Sequence, residues 1–142
     1  MALSYVKYQT ALANISEAAN TGTDSWRLIL SNTAPTVATD TTQANANELT
    51  TAGGYTVNGV ACTITSHAQT GGTYKLVLAA PVSPTWTASS GGFTFRYIIL
   101  WNQTQNQLYG YWDYGSSVVM SGANGDTFTP TLDPTNGTFT IT

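Results

Sequence analysis

Residues 93–115 decide the fold, and they read FTFRYIILWNQTQNQLYGYWDYG. Every second residue of the first half is large and apolar: Phe93, Phe95, Tyr97, Ile99 and Trp101. A period of two predicts a β-strand that carries these side chains on one face. Because Ile98 and Leu100 lie between them, we expect the far end of this strand to be covered on both faces, as in a β-sandwich core. The aromatic run 108–114 predicts an antiparallel partner strand.

The rest of the chain alternates short β-prone runs with turn residues. Strands are predicted at 25–31, 73–79, 117–121, 127–132 and 138–142, and a further β-prone unit follows Gly53 and Gly54. About eight strands at this spacing are typical of an all-β fold, an antiparallel β-sandwich or jelly roll. No linker interrupts the pattern, so residues 1–142 are predicted to form a single β-sandwich domain.

The N-terminal segment is compatible with two structures. Tyr5, Tyr8, Leu12 and Ile15 follow helical spacing, which favours a short N-terminal helix. A strand with a bulge would fit the same residues. Either way, residues 1–20 are a candidate interaction arm.

Charge is unusually scarce in this chain. Charged residues make up 8% of the sequence, compared with about 25% in an average soluble protein. Its four basic residues, Lys7, Arg27, Lys75 and Arg96, do not cluster, and the formal net charge is −3. Because phosphate contacts need clustered Lys and Arg, we expect neither nucleic acid nor an anionic membrane surface as a partner.

The cysteine count and the N-terminal composition argue against several other classes of protein. Cys62 is the single cysteine, which excludes an internal disulfide and a multi-cysteine metal site, and we expect it to be buried. Residues 1–20 lack a basic stretch followed by an apolar run, so we expect no signal peptide and no membrane span. We also expect no cofactor and no metal.

Few residues could carry catalysis. His67 is the single histidine and is expected to be exposed in a turn rather than part of a Ser-His-Asp triad. Asp113 lies between Trp112 and Tyr114, and we expect it to pair with Arg96 or a backbone amide rather than to act in glycoside hydrolysis. Residues 133–137 resemble a calcium loop superficially but lack its remaining ligands, which favours a plain turn. We therefore predict that the protein is not an enzyme and has no catalytic residues.

Two regions could contact a partner. Residues 32–51 are polar and long for a connection within a compact domain, so they either contact a partner or form an ordered surface loop. Five aromatic residues also crowd together in the sequence: Trp101, Tyr109, Tyr111, Trp112 and Tyr114. Such rings could stack on a glycan, lie in an interface or fill the core, and core packing is favoured for a domain of this size.

The order of segments resembles the small capsid decoration, or cement, proteins of tailed bacteriophages. The similar pieces run almost from end to end: YVKYQTALANI, DSWRLILSNTAPT, ELTTAGGYTVNGV, WTASSGGFTFRYIILWNQT, LYGYWDYGSS and GDTFTPTLDPTNGTFTIT. The resemblance implies a jelly-roll-like β-sandwich that binds across neighbouring major capsid proteins on the outer capsid surface of the virion. It implies a homo-oligomer, with a dimer favoured over a trimer, made in the host cytoplasm.

No catalytic or ligand motif is carried over by this resemblance, so interface residues are chosen from the chain itself. The candidates are Tyr5, Tyr8, Leu12, Ile15, Glu48, Tyr109 and Tyr111. The alternative hypothesis is a glycan- or receptor-binding β module of a tail fibre or adhesin. Several coplanar aromatic rings in one groove would favour that alternative.

Overall fold

The computed structural model describes residues 3–11, 14–15, 20–79 and 85–142. The described strands are β1 Tyr5–Lys7, β2 Trp26–Ser31, β3 Val60–Thr70, β4 Thr73–Ala79, β5 Trp86–Thr87, β6 Phe93–Asn102, β7 Gln107–Met120, β8 Thr127–Phe128 and β9 Phe139–Ile141. A single 3₁₀ turn, Gln43–Asn45, accompanies them in this part of the chain. The all-β prediction is confirmed.

Seven strands form one curled antiparallel sheet in the order β1-β7-β6-β2-β3-β4-β9, and β5 pairs with β8 in a small second sheet. The sheet curls at β3, whose first residues pair with β2 and whose remainder pairs with β4. The curl brings Phe139 of β9 over Trp26 of β2 and Tyr109 of β7, with ring centroids 5.7 and 5.6 Å apart. Two layers therefore face each other, as in a β-sandwich.

The interior of the sandwich is aromatic and aliphatic. Trp26 packs edge-on against Tyr109 at 4.7 Å between ring centroids, which fills the end near β9. At the other end the β5–β8 ribbon closes the core, with Phe128 4.8 Å from Phe95. Neutral, tightly packed rings of this kind are the main source of stabilisation in a small β domain.

Both faces of the central strands are buried, as predicted from residues 93–101. Ile98, Ile99 and Leu100 are at most 2% exposed, although successive side chains of a strand point to opposite faces. The outer face is covered by residues 32–51. This segment lies against the sheet because the Leu49 amide donates to the Leu30 carbonyl at 2.9 Å, and its Ala46 side chain is buried.

The predicted one-sided alternation of β6 breaks at a bulge between Phe95 and Tyr97. Phe95 packs against Phe128 in the interior, whereas Tyr97 packs against Tyr111 at 6.1 Å. Tyr111 points away from the interior, since its neighbour Trp112 faces Phe128 across a shared cavity. The bulge thus places Tyr97, which belongs to the alternating set of β6, on the outer face of the sheet.

The N-terminal segment begins as a strand, not as the predicted helix: Tyr5 pairs with Trp112 of β7. Helical conformation follows at Ala11, Asn14 and Ile15, where the Asn14 amide donates to the Thr10 carbonyl at 3.2 Å. Leu12, a predicted interface residue, lies outside the described residues.

Other boundaries also shift. The predicted strands 108–114 and 117–121 are one strand, β7, with irregular pairing between them. The predicted strand 127–132 is a strand over Thr127–Phe128, and Pro130 beyond it has no backbone N–H to donate to a ladder. No helix within the described residues is long and apolar enough to span a bilayer.

Candidate functional site

Most of the residues predicted for an interface serve the fold itself. Tyr8 and Tyr109 are 0% and 1% exposed, so neither can contact a partner without unfolding. Tyr111 is half-buried between the rings of Tyr8 and Tyr97. Ile15 packs against the hydrophobic core. These side chains therefore pack within the fold.

Glu48 is also occupied within the fold. One oxygen of its carboxylate accepts hydrogen bonds from the Tyr55 hydroxyl at 2.6 Å and the Asn58 amide at 2.7 Å. Its other oxygen accepts from the Gln43 side chain at 2.5 Å. Burial, followed by the hydrogen bond to Glu48, raises the pKa of the Tyr55 hydroxyl, which stays protonated. Glu48 therefore anchors the 32–51 loop instead of presenting a charge to a partner.

Among the predicted interface residues that the structure describes, Tyr5 is the one that lines a sizeable cavity. Its ring lies over Gly110 of β7: a Cβ built on Gly110 would lie 2.1 Å from the Tyr5 Cζ atom. A residue larger than glycine would displace the ring, so β1 is seated on β7 by this contact. Trp112 flanks the same ring with centroids 5.1 Å apart.

The cavity is an open groove of about 620 Å³, a size that falls within the range of small-molecule and peptide sites. Its floor is formed by the side of β6 and β7 that carries Ile98, Trp112 and Tyr114. One wall is the N-terminal strand region, with Leu3 and Tyr5. The opposite wall is formed by residues 128–134, with Gly137 and Thr138 behind them. We call this cavity the β8 groove.

The polar side chains of the β8 groove are largely engaged within the protein. The Thr138 hydroxyl accepts a hydrogen bond from the Leu78 amide at 3.0 Å. The Thr129 hydroxyl lies 2.6 Å from that of Thr85. Asp133 is the only acidic or basic residue among the described lining residues, and its carboxylate closes a local turn. Thr131 is exposed to solvent.

That turn is the predicted plain turn at residues 133–137. One Asp133 oxygen accepts from the Thr135 and Asn136 amides, both at 2.8 Å. The Asn136 amide and side chain, followed by Thr135, lower the pKa of the Asp133 carboxyl. No group of three or more metal-ligating side chains occurs within the described part of the chain.

The rings around the β8 groove are not coplanar. Tyr5 and Trp112 are tilted by 53°, and Tyr114 meets Phe128 edge-on at 72°. Sugar stacking needs flat ring faces presented side by side. The arrangement does not match the platform that the glycan hypothesis requires.

Asp113 forms the predicted partnership with Arg96. The pair is bidentate, with 2.7 Å from Nε to Oδ1 and 2.9 Å from the second nitrogen to Oδ2. Oδ1 also accepts from the Gly115 amide at 2.8 Å, so the carboxylate holds the irregular part of β7. The hydrogen bond from Arg96 lowers the pKa of Asp113. The ion pair between Asp113 and Arg96 agrees with the pairing predicted from the sequence.

The remaining reactive side chains have no catalytic neighbours in the described residues. His67 is exposed as predicted, although it lies within β3, opposite Leu76, and not in a turn. Cys62 is half-buried, and burial raises the pKa of its thiol to about 12. A thiol with that pKa is a poor nucleophile at neutral pH.

Comparison with known proteins adds no assignment: no family model, curated protein or solved structure matches this chain.

Sequence reasoning missed the wall of the groove. Residues 129–134 read TPTLDP, and the sequence predicts a strand to residue 132 followed by a turn, because Thr favours strands. The signal that could have found the wall is the pair Pro130 and Pro134, because a proline lacks the backbone N–H that a strand ladder needs.

Proposed function

We propose that this chain is a structural virion protein that decorates a phage capsid and stabilises it by binding across neighbouring major capsid proteins. In this proposal the chain is a homo-oligomer on the outer capsid surface and carries no catalytic activity. The proposal starts from the resemblance of its segments to cement proteins of tailed phages.

The observation that carries the proposal is that the carboxylates are bonded within the protein itself. All six described acidic side chains accept hydrogen bonds from the chain itself, namely Asp24, Asp40, Glu48, Asp113, Asp126 and Asp133. An acid-base mechanism needs carboxylates that face a substrate. Because these carboxylates hold turns and loops in place, the protein is suited to a rigid structural role.

Three of the four basic residues follow the same rule, the exception being the exposed Lys7. Arg96 pairs with Asp113, Arg27 donates to the carbonyls of Asn58 and Gly59, and Lys75 donates to the Thr135 carbonyl at 2.7 Å. Together with the low overall charge, this leaves a hydroxyl-rich surface. Such a surface supports permanent assembly, because few charges lose their water when an interface closes.

Quantitative mass spectrometry of purified virions tests the proposal. The measurement is the number of copies of this chain per copy of the major capsid protein. We expect a ratio near one, or a simple fraction set by the capsid lattice. A handful of copies per particle would place the chain on the tail, and its absence from particles would reject a virion role.

The second candidate is a glycan- or receptor-binding module of a tail fibre or adhesin. The specific observation in its favour is that Tyr5, Trp112 and Tyr114 line one groove, although their rings are tilted and do not form a coplanar platform. A glycan array probed with the purified protein tests it. Binding that is lost on substitution of Tyr114 by Ala would support the candidate, and a silent array would reject it.

A further inference from the structure

We propose that Asn124 and Gly125 form a site of spontaneous deamidation, at which the asparagine of the folded protein becomes aspartate or isoaspartate. The chain contains three Asn-Gly pairs, at 58–59, 124–125 and 136–137. Asparagine is a thermolabile residue, and a following glycine leaves the attacking nitrogen uncovered because glycine has no Cβ. The local sequence therefore makes the three pairs equivalent, and the fold separates them. The reaction needs no partner, so it does not depend on the proposed function.

The reaction consumes water and releases ammonia. The Gly125 backbone nitrogen attacks Cγ of the Asn124 side chain, a C–N bond forms, and the proton of that nitrogen leaves with the side-chain NH₂ group as ammonia. Water then opens the succinimide ring. Cleavage of the C–N bond at Cγ gives aspartate, and cleavage at the backbone carbonyl carbon gives isoaspartate. Ring closure requires that the backbone of the pair can rotate and that its groups are not held elsewhere.

The pair at 58–59 is fixed at every backbone polar group. The Asn58 amide donates to Glu48 at 2.7 Å, and the Gly59 amide donates within its turn at 3.0 Å. Arg27 donates to both carbonyls of the pair. A Cβ built on Gly59 would lie 1.9 Å from the Leu28 carbonyl oxygen, so this backbone packs directly against β2. We expect this pair to close the ring slowly.

The pair at 136–137 is held by Asp133. The backbone amide and the side-chain nitrogen of Asn136 each donate to the Asp133 carboxylate at 2.8 Å. The Gly137 amide donates to the Asp133 carbonyl at 3.2 Å. A Cβ built on Gly137 would lie 2.5 Å from Cγ of Lys75, which covers this side of the turn. Both reacting groups of the pair are therefore occupied.

The pair at 124–125 is open. Both residues are exposed, and no hydrogen bond among the described residues involves Asn124. The Gly125 amide makes one long hydrogen bond, 3.3 Å to the Gly122 carbonyl, and a Cβ built on Gly125 would meet nothing within 4 Å. The base of the turn is fixed, because the Ser121 amide donates to the Asp126 carboxylate at 2.8 Å. The pair is thus the free tip of an anchored turn.

The experiment follows the three pairs in the full chain during prolonged incubation at neutral pH and physiological temperature. Chymotrypsin, which cleaves after aromatic residues, places them on separate peptides, 56–74, 115–128 and 129–139. Mass spectrometry measures the conversion of each amide to an acid, and electron-transfer fragmentation distinguishes aspartate from isoaspartate. We expect Asn124 to react at least about tenfold faster than Asn58 or Asn136, because those pairs must first open locally. Equal rates, or a faster reaction at either of them, would overturn the proposal.

The matched control is the same chain incubated in urea. Without the fold, the three asparagines should react at similar rates, since glycine follows each of them. If Asn124 kept the same lead in urea, the local sequence would explain the order, and the proposal would be overturned.

Charge provides a second readout. The reaction adds a negative charge to a chain with only four basic and seven acidic residues, so ion-exchange chromatography should resolve an acidic form of the aged protein. Asn124→Gln, which replaces an exposed side chain, should lack most of this form. An acidic form of equal abundance in Asn124→Gln would overturn the proposal.

Discussion

Two long irregular stretches of this molecule, residues 32–51 and residues 129–138, differ in where their polar groups find partners. The first forms several hydrogen bonds within the chain: the Thr36 amide donates to Asp40 at 2.7 Å, and Glu48 accepts three hydrogen bonds. The second contains four residues, Thr129 to Leu132, whose backbone has no partner among the described residues.

The difference shows how a cover is held in place. Buried backbone groups are nearly always paired, and the 32–51 loop is fixed by bonds within itself and to the Leu30 carbonyl of the sheet. Residues 129–132 are fixed by their alternate side chains, because Pro130 and Leu132 are buried. Length and polarity, which made 32–51 a candidate contact in the sequence, do not separate these two cases.

The largest expected effect is on the cover. Glu48→Ala removes the acceptor of the Tyr55 hydroxyl and of the Asn58 amide, and Tyr55 is 1% exposed. We expect the free energy of unfolding to fall by about 2–3 kcal/mol, measured by urea denaturation. Glu48→Gln, which keeps an acceptor oxygen, should lose less. Wild-type stability in Glu48→Ala would show that the cover is held by other contacts.

The next effect tests how β1 is seated on β7. Gly110→Ala places a methyl group where the Tyr5 ring lies, 2.1 Å from its Cζ atom. Displacing the ring should lower the free energy of unfolding by about 1–3 kcal/mol, measured by urea denaturation.

The matched control for this seat is a double-mutant cycle with Tyr5→Ala. Because the two residues are in contact, the combined loss in stability should be smaller than the sum of the single losses. Additive losses would indicate that Tyr5 does not rest on Gly110.

The smallest expected effect concerns the exposed ion pair between Arg96 and Asp113. Since Arg96 lowers the pKa of Asp113 in the folded state, the pair stabilises the fold above the unfolded-state pKa, near ~3.9, and this contribution is lost as pH falls through the folded pKa. Asp113→Asn should lower Tm by on the order of 1 °C at neutral pH. The gap between wild type and variant should close below pH ~4. A gap that widens in acid would contradict this reading.

The sequence was sufficient for the fold class because alternation and turn residues are local signals. Strand β4 was predicted at its observed bounds, Thr73–Ala79, since Gly71 and Gly72 fix one end. The pairing of Asp113 with Arg96 was also predicted. These features depend on residues that are neighbours in sequence or on adjacent strands.

The face of the sheet on which each side chain lies, and the existence of the groove, could not be predicted in the same way. The bulge at Arg96 reverses which residues face the interior, and a bulge depends on pairing between strands rather than on either sequence alone. Tyr109, a candidate interface residue in the sequence, is buried against Trp26 at a second register shift between β6 and β7. The groove walls come from opposite ends of the chain, Leu3 and residues 128–134.

Hydrogen-deuterium exchange of the protein tests most directly whether residues 32–51 are a cover bonded to the sheet. We predict that the Leu49 amide, bonded to the Leu30 carbonyl, exchanges slowly, at a rate close to that of the central strands. The Glu48→Ala variant should exchange faster at Leu49, because the loop loses its anchor to Tyr55 and Asn58. Fast exchange at Leu49 in the wild-type protein would contradict the account.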